Sequence, residues 1–128
     1  MFLYHPEGGQ QLAELLAREG HTSSFVDIRG MNNVLHLKSD LAYLGDNRLV
    51  VSEELSRHAH FRSFNLVRVN ATESYAANCL RNNDRVLVPA GFPGLRDSLE
   101  RLGYAVLSLE MSEFEKMDGG LSCLSLRF

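Results

Sequence analysis

The sequence predicts an α/β chain built from a repeated unit of strand, turn, strand, helix and strand. Three observations carry that prediction. Short apolar runs bounded by turn residues read as strands, and segments of helical spacing separate them. The helical stretch Leu12-Ala13-Glu14-Leu15-Leu16-Ala17-Arg18-Glu19-Gly20 is echoed by Leu95-Arg96-Asp97-Ser98-Leu99-Glu100-Arg101-Leu102-Gly103. The turn and strand Asp46-Asn47-Arg48-Leu49-Val50-Val51 are echoed by Asn83-Asp84-Arg85-Val86-Leu87-Val88. Helices begin near positions 9, 53 and 93, a period of about forty residues.

The elements follow in chain order. Gly8 to Gly20 is a helix, with Leu12, Leu15 and Leu16 on one stripe and Gly20 as its stop. Ser23 to Ile28 is a strand, turned by Arg29-Gly30, and Val34 to Leu44 is a longer strand. Gly45-Asp46-Asn47 turns the chain into the strand Arg48 to Ser52, giving a hairpin. Glu53 to His60 suits a short helix, and Phe64 to Asn70 alternates as a strand. Tyr75 to Arg81 is strand-like, Asn82-Asn83-Asp84 turns, and Arg85 to Val88 is a strand. Pro93 to Leu102 is a helix closed by Gly103, followed by the strand Tyr104 to Leu109. After the Gly119-Gly120 turn, Leu121 to Phe128 reads as the first strand of a further unit. Neither end resembles a cap, so the terminal strand needs a partner.

At 128 residues the chain has the length of one domain, and 45% hydrophobic with 23% charged residues argues against disorder. A net charge of −3 without a dense Lys/Arg cluster argues against a nucleic-acid partner. No apolar run reaches the ~20 residues that span a bilayer, and Met1 to Pro6 lacks the pattern of a secretory leader, so a cytoplasmic location is expected. The two cysteines form no CxxC pair and are too few for a structural zinc site.

Two residues stand out chemically. Alternation through Leu121 to Phe128 puts Leu124, Leu126 and Phe128 on one face, and Cys123, Ser125 and Arg127 on the other. A thiol beside a positive charge is in the setting that makes it reactive, although the pattern alone favours an incidental thiol. The same logic puts His36 on a polar face with Lys38 and Asp40, opposite Leu35, Leu37, Leu41 and Tyr43. There it is either a proton-transfer group or an ordinary exposed histidine. His58-Ala59-His60 hints at a metal but lacks a third ligand in the sequence nearby. Cys79 reads as a packing residue, and Asn78 as a polar residue that ends or bends a strand. A Cys nucleophile with a His base, adjacent in space and distant in sequence, is a known pairing.

Several segments together resemble one family. Leu35-His36-Leu37-Lys38-Ser39 with Leu44-Gly45-Asp46 resembles the catalytic-histidine segment of the dimethylarginine dimethylaminohydrolases. Tyr75-Ala76-Ala77-Asn78 with Asn83-Asp84-Arg85-Val86-Leu87 resembles a middle segment of that family. Ser112-Glu113-Phe114, Lys116 and Asp118-Gly119-Gly120-Leu121-Ser122-Cys123-Leu124-Ser125 resemble its C-terminal signature. The order agrees, and the likeness runs from about Gly9 to Phe128.

The resemblance implies a great deal. The family belongs to the guanidino-modifying pentein superfamily, whose fold is a five-bladed α/β propeller. Residues 1–128 would then form a single pentein-like domain of about two and a half modules, an incomplete propeller matching the C-terminal half of a family member. Cys123 would be the nucleophile and His36 the acid and base in hydrolysis of Nω-methylated arginine to citrulline. No cofactor and no metal are implied. Arginine deiminases and amidinotransferases of the superfamily carry Asp two residues after the histidine, where this chain has Lys38, which favours the dimethylarginine branch. In the family, the carboxylates that grip the guanidinium and the arginines that bind the substrate carboxylate lie in the N-terminal half. None of Asp40, Asp46, Glu53 or Glu73 is assigned that role here. The partners expected are the small-molecule substrate and, over the open propeller edges, a separate N-terminal half or a second copy. Neither nucleic acid nor membrane is expected. The alternatives are an inactive self-associating half-propeller or another guanidine hydrolase, such as an arginine deiminase.

Overall fold

In a computed structural model of the chain, residues 6–126 are described. Met1 to His5, read above for a leader, and Arg127 and Phe128, read as the end of a strand, lie outside the described residues.

The chain opens with α1 (Pro6–Arg18), with Glu7 in its first turn and Arg18 in its last, both favourable to the helix dipole. Gly20, at φ 80°, ends it. The His21 N–H donates to the Leu16 carbonyl at 2.9 Å and the Gly20 N–H to the Ala17 carbonyl at 3.1 Å, the Schellman pattern that satisfies the last carbonyls. None of the residues of α1 is buried.

Two three-stranded sheets of identical topology follow. In the first, β1 (Leu41–Gly45) pairs antiparallel with β2 (Arg48–Ser52), which pairs parallel with β3 (Asn65–Val69). In the second, β4 (Leu80–Asn82), β5 (Arg85–Pro89) and β6 (Ala105–Leu109) repeat that arrangement. The first hairpin turn places Asp46 and Asn47 at φ 51° and 57°, the left-handed pair that a two-residue loop between right-twisted strands requires. The second crossover carries α2 (Pro93–Arg101). This helix ends as α1 does: Gly103 sits at φ 90°, with Tyr104 N–H to Leu99 C=O at 3.1 Å and Gly103 N–H to Glu100 C=O at 3.0 Å. Its start is capped from a distance, because the Glu73 carboxylate accepts from the N–H groups of Gly94 (3.0 Å) and Leu95 (2.9 Å). A short helix α3 (Ser112–Glu115) precedes the final turn.

One core joins the sheets. Leu44, Val50, Val67 and Val69 of the first pack with Val86 and Val88 of the second, and with Ala76, Ala77, Cys79, Leu95 and Leu99. A second cluster, built on Ile28, Val34, Leu49, Val51, Leu55 and Phe61, fills the other face of the first sheet. Polar ties cross the same junction. Arg81 of β4 donates to the Leu44 carbonyl, and the Arg48 guanidinium lies over the Tyr104 ring and donates to its hydroxyl at 3.1 Å.

Five expected elements differ. Ser23 to Ile28 is loop, because among the described residues no strand pairs with it and extended backbone alone is not a strand. In Val34 to Leu44 only Leu41 onward joins a sheet, and Leu37–Ser39 forms a 3-10 turn. Glu53 to His60 breaks into two 3-10 turns, Leu55–Arg57 and Ala59–Phe61, with extended His58 between them. Tyr75 to Arg81 starts helically, since the Asn70 side chain caps a 3-10 segment, Ala71–Ala77, by accepting from the Thr72 N–H at 3.0 Å. Leu121 to Leu126 is turn and loop: the Gly120 carbonyl accepts from Cys123 N–H (3.0 Å) and Leu124 N–H (3.3 Å), and the Ser122 N–H is taken by a side chain and not by a strand. Among the described residues no helix is long and apolar enough to cross a membrane.

Candidate active site

The alternation that placed Cys123 on a polar face does not hold. Cys123 is exposed, but so are Leu124 (55%) and Leu126 (84%), which alternation put on the apolar face. The thiol owes its exposure to the turn that carries it.

That turn is held from outside by the 3-10 segment and the residue after it. The Tyr75 hydroxyl donates to the Gly119 carbonyl at 2.7 Å. Asn78, only 4% exposed, accepts from the Ser122 N–H at 3.1 Å through Oδ1. Its Nδ2 faces Cys123 Sγ at 4.0 Å, the outer reach of an N–H to sulfur contact. Gly120 makes this approach possible. A Cβ at that position would fall on the Asn78 amide nitrogen and lie 2.6 Å from its Cγ. Asp118, at φ 56°, bends the chain into the two glycines. Burial, then the Glu115 carboxylate and the Cys123 thiol, push the Tyr75 phenol above its ordinary value, so it remains a donor.

His36 is half-buried and extended (φ −137°, ψ 140°), at the head of the Leu37–Ser39 turn. Its expected face is also reversed in part: Asp40 is buried, whereas Leu35 and Tyr43 are exposed. Burial raises the Asp40 carboxyl above its ordinary value, opposed by a hydrogen bond from Ser52 and assisted by the Glu54 charge.

Residues close to both candidates line one cavity of about 330 Å³, although neither His36 nor Cys123 is itself among its lining residues. Leu35, next to His36, lines it, as do Asn78, which faces Cys123, and Tyr75. Three carboxylates, Asp40, Glu115 and Asp118, line it too, a wall suited to a cation. Among the described residues no hydrogen bond joins His36 to Cys123. A larger concavity of about 840 Å³, lined by Arg48, Arg62 and Arg68 among others, shares no lining residue with this cavity.

The remaining candidates sort themselves physically. Cys79 is buried and desolvation pushes its thiol up to about 12, so it is packing and not nucleophile. His60 lies 3.0 Å from the Ser24 hydroxyl, and His58 Nδ1 accepts from the His60 N–H at 3.2 Å. Among the described residues no group of three or more His, Cys, Asp or Glu is placed to hold a metal. Sequence reasoning left Asn78 and Tyr75 without a role in the site. The signals available were an amide flanked by Ala77 and Cys79, a polar residue inside an apolar run, and the likeness of Tyr75 to Asn78 to a middle segment of the family.

The chain is similar in sequence and in fold to known proteins. No family model matches the chain. The curated dimethylarginine dimethylaminohydrolase of Pseudomonas aeruginosa is 44% identical over 122 residues, which cover 95% of this chain and 47% of that protein. A solved structure of the Pseudomonas aeruginosa enzyme, a cysteine-to-serine variant in complex with citrulline, superposes with a TM-score of 0.89 at 43% identity, covering 97% of this chain and 48% of that one. A histidine-to-glycine variant of a dimethylarginine dimethylaminohydrolase, solved as an adduct with S-methyl-L-thiocitrulline, gives the same score, identity and coverage. By sequence and by fold the chain belongs to the dimethylarginine dimethylaminohydrolase family, and it spans about half the length of the curated relative it matches.

Proposed function

We propose that this chain supplies the nucleophile side of a site that hydrolyses Nω-methylated arginine to citrulline and a methylamine. The observation that carries the reading is the held turn: Asn78 and Tyr75 fix the loop of Cys123 at the edge of a cavity walled by carboxylates. The relatives support it, since the substituted cysteine and histidine in the solved variants accompany citrulline and a thiocitrulline adduct.

In this reading the Cys123 thiolate attacks the guanidinium carbon, forming the C–S bond. As the C–N bond breaks, His36 passes a proton to the departing amine. The carbon is left bound to sulfur as an S-alkylthiouronium cation. His36 then takes a proton from water, whose oxygen attacks the same carbon. The C–S bond breaks, the thiolate is regenerated and citrulline leaves. The substrate enters as a cation, so charge stabilisation falls to carboxylates and not to an oxyanion hole. The two sheets are read as modules of a pentein-like α/β propeller, the rest of the ring and of the site coming from another half.

The test is a citrulline assay on the purified 128-residue chain, with and without a separately produced N-terminal half of a family member. Methylated arginine and arginine are compared as substrates. Turnover that appears only on mixing, prefers methylated arginine and vanishes in Cys123→Ala is expected. Full turnover by the chain alone would refute the half-site, and preference for arginine would move the chain to a deiminase. A second reading, a self-associating module without activity, is favoured by the exposed leucines of α1. No turnover in any mixture, two unreactive thiols and a concentration-dependent mass in sedimentation would together establish it.

A further inference from the structure

Asn78 meets the nucleophile turn at three points. Its Oδ1 holds the Ser122 backbone N–H, the residue before the thiol. Its amide nitrogen faces the sulfur itself at 4.0 Å. Its side chain occupies the space that a Cβ at Gly120 would need. A buried amide must satisfy both ends or bear the cost of an unpaired polar group. Oδ1 is satisfied by the backbone. The Cys123 sulfur is the partner that the described geometry offers to Nδ2. A hydrogen-bond donor favours the charged form of an acid more than the neutral form, so this contact strengthens when the thiol ionises.

We infer that Asn78 is a positioning residue for Cys123, which fixes the turn through Oδ1 and supports the thiolate through its Nδ2–H. The inference rests on the reading of Cys123 as nucleophile, but its test does not depend on turnover. Tyr75 supplies an internal control. It holds the same turn through Gly119, yet it presents no donor to the sulfur in this arrangement because its hydroxyl hydrogen is directed to the Gly119 carbonyl.

The experiment is the rate of Cys123 alkylation by iodoacetamide against pH, on the folded chain and its variants. Cys79 contributes nothing because it is buried. In Asn78→Ala the pH midpoint rises by about one unit, the scale of one lost hydrogen bond to a charged group. In Asn78→Asp, which keeps the acceptor and the shape but puts a carboxylate oxygen toward the sulfur, it rises at least as far. In Tyr75→Phe the midpoint stays and only the limiting rate changes. An unmoved midpoint in Asn78→Ala, or an equal shift in Tyr75→Phe, overturns the assignment. Should Asn78→Ala fail to fold, Asn78→Asp decides, and an unmoved midpoint there overturns it as well. A shifted midpoint in a chain that yields no citrulline even when mixed with an N-terminal half would retain Asn78 and discard the hydrolase.

Discussion

The two thiols of this chain show how far environment separates identical side chains. Cys79 sits within an apolar core, where desolvation holds its proton, whereas Cys123 stands exposed on a turn beside an amide. The sequence assigned Cys79 to packing and Cys123 to an exposed face, and the two burials agree, but the alternation used for Cys123 is one that the turn does not have. Asp40 is a comparable case. Alternation placed it on a solvated face, yet it is buried, and its carboxyl is raised above the ordinary 3.8 chiefly by that burial. The sign of the consequence is definite. As pH rises above 3.8 the unfolded chain releases this proton before the folded chain does, so the folded state is progressively disfavoured. Asp40→Asn removes that penalty. Its thermal midpoint should match the native chain at about pH 3 and exceed it at about pH 7. A midpoint difference independent of pH would show that the carboxyl ionises as freely in the fold as outside it.

At the level of elements, legibility followed hydrogen bonding. Each strand with a neighbour in the described chain was readable, and both hairpins were announced by their Asp, Asn and Gly residues. Two segments read as strands, Ser23 to Ile28 and the described part, Leu121 to Leu126, of Leu121 to Phe128, have the composition of strands but no ladder to join among the described residues. A period of two reports side-chain spacing and says nothing about whether a partner exists. The 3-10 segment Ala71–Ala77 was hidden for a different reason, because its signal is a single cap at Asn70. Also unreadable was the tertiary cap, in which Glu73 satisfies two N–H groups at the start of α2 from 21 and 22 residues away. Removing it leaves those donors to water and takes a negative charge from the helix start. Glu73→Ala should therefore cost roughly 1 kcal/mol in a denaturant titration. Unchanged stability would mean that solvent replaces the carboxylate without loss.

For the whole molecule, the main fact is that apolar surface remains uncovered. Leu12 (58%) and Leu15 (56%) of α1 are exposed, and none of the residues of that helix is buried, although its spacing is that of a helix with one face against a core. Such a stripe marks a missing contact. We expect the chain alone to sediment with a concentration-dependent mass. Leu12→Lys with Leu15→Lys should return it to the monomer while leaving the thermal midpoint within a few degrees, since neither side chain belongs to the core. A monomeric native chain at all concentrations would refute this. The fold was legible as a repeat because both units were printed in the sequence. Of the candidate site, the sequence marked Cys123 and His36 but not the contacts around them, because these are amide and hydroxyl contacts that no spacing rule encodes. Those contacts have a practical corollary. Glu73 anchors α2, while Tyr75 and Asn78, two and five positions further on, grip the turn of Cys123. We expect that loosening the helix start also slackens the grip on the sulfur, so that Glu73→Ala changes the speed at which a thiol reagent labels Cys123 and that speed serves as a strain gauge for the second sheet; an unchanged speed would show that the two contacts act independently.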